Sequence, residues 1–103
     1  MAGQQNLFQQ AMNRGHSAAW DQMWQQAAAY YRQALKEIPD HPQALIHLGL
    51  ALIELQQIDA ALGCYERAAG VTPNDPLPLE KIGQLYERTG NLERATLATL
   101  RAA

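Results

Sequence analysis

The chain repeats itself every 34 residues. Pro39 and Pro73 stand 34 apart, and so do Pro42 and Pro76. The same step links Gly15, Gly49 and Gly83, then Ala27, Ala61 and Ala95, then Ala34, Ala68 and Ala102. Tyr31 and Tyr65 obey it, with Thr99 at the third copy. A fixed period of roughly 20–50 residues marks a stack of similar units, each burying its neighbour's apolar face. The period divides the chain into a flexible N-terminus at 1–7 and three units at 8–41, 42–75 and 76–103. The third falls short of a full period.

Composition says what each unit is made of. There are 18 Ala, 14 Leu and 12 Gln against one Val and five Ile. Ala and straight-chain residues lose little freedom in a helix, and β-branched residues are scarce. In the middle unit Leu45, Leu48, Gly49, Leu52 and Leu55 have helical spacing, and a second set follows a break: Ile58, Ala61, Leu62, Tyr65 and Ala68. Pro42 suits a first helical turn, where its missing N–H costs nothing, and Asp40 with Gln43 predicts a capping box. Asp75 precedes Pro76 in the same way. Gly90-Asn91 reads as a helix stop followed by a cap, whereas Gln56-Gln57 fills that turn less favourably. The sequence thus predicts six helices, near 8–20, 24–37, 42–55, 58–70, 76–89 and 92–102, with the residues before them frayed.

The recurring small residues have a mechanical reason. Helices approach closely only where a side chain is nearly absent, so Gly49 and Gly83 are expected at the crossing within each pair. Ala61 and Ala95 should face them, with Leu52, Tyr65 and Tyr86 filling the remaining space.

This pattern resembles the tetratricopeptide repeat (TPR) family. The second unit carries Leu45, Leu48-Gly49, Leu52, Ala61, Tyr65, Ala68 and Pro73. The third carries Leu79, Ile82-Gly83, Tyr86, Gly90 and Ala95. The first is weaker at Ala11, Arg14-Gly15 and Ala18, then recovers with Trp24, Ala27, Tyr31, Ala34 and Pro39. The resemblance implies an all-α fold, three tandem TPR helix–turn–helix pairs in a right-handed superhelical solenoid. First helices would line a concave groove that binds a protein or peptide, without catalysis. The short uninterrupted repeats point to a bacterial chain.

Family geometry places Met12, His16, Ala19 and Trp20 in the groove. The middle unit would add Gln43, Ile46, His47, Leu50, Ile53 and Glu54, and the third Leu77, Glu80, Lys81, Gln84, Glu87 and Arg88. Some relatives clamp a chaperone tail's carboxylate with basic residues. The matching positions are Met12, His16, His47, Leu77 and Lys81, where only Lys81 keeps a fixed positive charge, so no such clamp is expected. Ile46, Leu50 and Ile53 make the middle helix apolar nearly all round. They predict either a groove open to an apolar or amphipathic partner segment, or a stripe covered within the chain, as by Leu7 and Phe8. His16 and His47 are expected to face one another as groove lining, because two imidazoles alone make a poor metal site. Trp24 stands at a core aromatic position. Trp20 either anchors a partner or covers the first unit.

Several functions are excluded. The net charge of −2 leaves no basic footprint for nucleic acid. No apolar run reaches the ~18 residues of a membrane span, and MAGQQNLFQQ lacks the regions of a secretory signal. The expected location is cytoplasmic. Cys64 is alone and reads as a packing residue. No catalytic, metal or cofactor motif is present. Leu97 and Leu100, near the end of an uncapped third unit, suggest a homo-oligomer or structural assembly module as the alternative. Ala61→Leu should overpack the helix crossing by about 1–3 kcal/mol, lowering the melting temperature. An unchanged melting temperature would contradict the packing assignment.

Overall fold

The computed structural model describes residues 2–90. Ala95 and the sixth expected helix lie outside the described residues, with Leu97, Thr99, Leu100 and Ala102. Five helices follow in order: α1 Ala2–Trp20, α2 Trp24–Glu37, α3 Pro42–Glu54, α4 Ile58–Val71 and α5 Leu77–Arg88. Each packs on the next, giving the hairpins α1/α2 and α3/α4, with α5 against α4. The core is a continuous seam of Ala, Leu and Ile, with two aromatic rings of tyrosine set into it.

The first helix begins at Ala2, not at 8, which corrects the expected N-terminal segment at 1–7. Apart from Gly3, residues 2–7 contain no helix breaker, and the helix extends into them. Its residue Phe8 is buried and its ring centre lies 4.4 Å from that of His41. The helix therefore continues before Phe8, although Leu7 stays half exposed.

The glycine register is explained by tyrosine. A methyl group on Gly15 would lie 2.5 Å from the Tyr31 ring, and one on Gly49 would lie 2.6 Å from the Tyr65 ring. Real side-chain carbons do not come that close, so each glycine is the recess into which the partner helix's ring fits. This revises the expected crossing: the group nearest Gly49 is Tyr65, one turn beyond Ala61. Ala27 and Ala61 are themselves fully buried. Burial pushes the Tyr65 phenol up to about 12.

Turns follow the same period. Gln22, Gln56 and Gly90 stand 34 residues apart and have φ of 60°, 64° and 83°. At the first two, the next residue's N–H reaches back five residues, Met23 to the Ala18 carbonyl and Gln57 to that of Leu52, each at 2.8 Å. Left-handed backbone costs a residue with a Cβ about 1–2 kcal/mol, so the two glutamine turns are strained where Gly90 is not.

The expected capping box at Asp40 and Gln43 does not form. His41 occupies the cap position of α3, and Asp40 turns left-handed with φ 60° and pairs with Arg67. Asp75, one residue before the cap position at Pro76, accepts the Leu77 N–H at 3.0 Å. The register shows why: one period before Asp75 stands His41, not Asp40.

Two substitutions should separate the glycines by role. Gly49→Ala should destabilise the chain by about 1–3 kcal/mol by displacing the Tyr65 ring. Gly63, inside α4, has open space around it. Gly63→Ala should therefore stabilise it by about 0.5–1 kcal/mol. Urea titration of both variants checks the pair, and equal effects would contradict the recess.

Candidate functional site

A cleft of about 320 Å³ opens on one side of the helix stack. It is lined by Ala19 of α1, Trp24 and Tyr31 of α2, five residues of α3 and Arg88 of α5. The α3 contributors are His47, Leu50, Ala51, Ile53 and Glu54. Four of the five described helices, all but α4, thus meet around one hollow.

The polar rim is built by the same glycine that admits a tyrosine. Because Gly15 carries no side chain, Tyr31 closes on α1, and its hydroxyl shares a 2.9 Å hydrogen bond with His16 Nδ1. The next helix adds His47, whose ring lies 4.6 Å from that of His16 in an edge-to-face arrangement and 5.6 Å from the stacked Tyr31 ring. His47 is held below the usual histidine range, first by burial, then by the positive charges of His16 and Lys81. Tyr31 is pushed up by burial. At neutral pH the rim is therefore uncharged at His47, and the fixed charges lining the cleft, Glu54 and Arg88, are opposite in sign.

The sequence-predicted groove residues divide three ways. Ala19, His47, Leu50, Ile53, Glu54 and Arg88 line the cleft, and His16 and Lys81 flank His47. Met12 and Ile46 do not offer a groove surface, being only 3% and 8% exposed. Met12 shares a helix face with the buried Phe8 and Gly15, and Ile46 lies on a helix packed against both α2 and α4. Trp20, Gln43, Leu77, Glu80 and Gln84 are exposed but line no part of the cleft. Trp20 is 88% exposed, so it does not cover the first unit. The apolar stripe of α3 is mostly interior, and of its three residues only Leu50 reaches the surface, 37% exposed.

Sequence reasoning missed Trp24, Tyr31 and Ala51 as cleft residues. Trp24 and Tyr31 are seven apart, two turns of one helix face, and that spacing is the sequence signal that joins them. Cys64 is half-buried with its thiol pushed up by burial, against the lowering pull of Arg32 and Arg67. That is the setting of a packing residue rather than a nucleophile. Among the described residues no group of three or more His, Cys, Asp or Glu could hold a metal ion. No described helix is long and apolar enough to cross a membrane.

Comparison with known proteins supplies the family. Superkiller complex protein 3 of Mus musculus is 28% identical over 78 residues, which is 76% of this chain and 5% of that protein. Anaphase-promoting complex subunit 3 of Schizosaccharomyces pombe is 26% identical over 82 residues, 80% of this chain and 12% of that one. The chain thus spans only a small part of these relatives. Among solved structures, MamA superposes with a TM-score of 0.86 at 21% identity, covering 92% of this chain and 56% of its own. The Sgt2 TPR domain from Aspergillus fumigatus gives 0.85 at 21% identity, covering 92% and 63%. At such identities the likeness shows the fold, tandem helical hairpins wound into a right-handed solenoid. The tetratricopeptide repeat pattern itself matches residues 21–85, more than half the length, and the chain belongs to that family.

Proposed function

We infer that this chain is a non-catalytic adaptor that holds an apolar or amphipathic segment of a protein partner in the cleft between its hairpins. The TPR fold is a scaffold for protein–protein interaction, and one structure of the same fold is the CopN-Scc3 complex, with a TM-score of 0.84. The observation that carries the finer reading is the cleft itself. Its lining is largely apolar, its polar groups are few, and its volume suits a large side chain rather than a whole helix. Trp24 and Leu50 would make the principal contacts, with Glu54 and Arg88 orienting the backbone of the segment. This narrows the expected groove: binding centres on one hollow, not on a continuous stripe through Met12 and Ile46. The reading places the adaptor in the cytoplasm and invokes no nucleic acid, membrane, metal or cofactor.

A peptide library selected against the intact chain tests this. Selected sequences should share one large apolar residue. Their affinity should fall at least about tenfold, near 1.4 kcal/mol, in Leu50→Asp. Val71→Asp serves as control, because Val71 is exposed at the end of α4 and α4 contributes nothing to the cleft lining. Equal losses in both variants would refute the cleft. Peptides that bind only as the chain dimerises in sedimentation would instead favour the assembly module.

A further inference from the structure

We propose that the cleft holds an uncharged apolar side chain more tightly while His47 is neutral, so that mild acidification loosens it. The proposal rests on the cleft being the binding site and adds its regulation and the charge of its occupant.

The geometry carries the argument. His47 is the one titratable histidine in the cleft lining, half-buried at the junction of three helices. Every element around it presents a group that bears on its charge. From α1 comes His16, with ring centres 4.6 Å apart; from α2 comes Tyr31, stacked on it and bonded to His16. From α5 come Lys81 and Arg88, and α3 itself supplies Glu54. A proton on His47 would thus join Lys81, with Glu54 the one carboxylate of the lining and Arg88 already its opposite.

An apolar side chain entering the hollow would exclude water from an imidazole that burial already holds below its usual range. The occupied cleft would then bind fewer protons than the empty one. By linkage, affinity is fully present above the pKa of the empty protein and falls as pH drops through it. An acidic occupant would do the reverse, since a carboxylate beside His47 favours the charged ring. The near balance of fixed charges and the apolar lining favour the neutral occupant.

The test uses indole as probe, with the intact chain followed by NMR at about pH 7.5 and about pH 5. Indole should perturb Trp24, Leu50 and Ile53, with affinity at least roughly threefold weaker at the lower pH. In His47→Gln, which keeps a polar side chain but cannot titrate, the ratio of the two affinities should fall to about one. In the unmodified protein, the titration of the His47 ring should move to lower pH when indole is bound, a result that needs no variant. Indole bound equally at both pH values, or more tightly at the lower one, would overturn the proton linkage and leave the cleft standing. Indole perturbing none of these residues at either pH would overturn both.

Discussion

A tyrosine ring pressed onto a glycine is the contact on which this array depends. At Gly15 and Gly49 the helix surface is recessed by a missing side chain, and the ring from the second helix of the hairpin occupies the recess. That seat fixes the distance and the rotational setting of the two helices together. It also aims the phenol along the hairpin, toward the first helix. Because hairpins recur in one register, a seat set correctly in one unit sets the placement of the next.

In the two units the same seat is used for different ends. Tyr31 reaches the concave side with its hydroxyl on His16, whereas the position one period beyond His16 is Leu50, which offers no hydrogen-bond partner. Tyr65 is as fully buried as Tyr31, and burial pushes its phenol up to about 12. One hairpin carries polar chemistry and the next an apolar surface, and the cleft lies where the two adjoin. A repeat protein can thus build an asymmetric site from symmetric parts by changing single residues around an invariant contact.

The architecture was legible in the sequence to a large extent. The period, the antiparallel hairpins and most helix ends follow from Pro42, Gly90 and the spacing of Leu45, Leu48 and Leu52. What was not legible depends on where side chains point after packing. Family geometry places Met12 and Ile46 on the concave side, but concave is not the same as exposed when neighbouring helices close over the rows between them. Trp24 and Tyr31 were assigned to packing, which is correct for their inner edges and silent about their outer ones. The first turns of α1 carry no strong signal either way, because the contact of Phe8 with His41 joins residues far apart in the chain. Caps were misplaced by one position where acidic residues flank the proline at different distances.

The strained glutamine turns and the nearest-neighbour stacking describe an object that can come apart one hairpin at a time. The hollow, however, draws its walls from α1, α2, α3 and α5, which no single hairpin contains. Anything lodged there touches the beginning and the end of the described array at once. It would behave as a clasp, turning a structure that frays progressively from its edges into one that lets go all together.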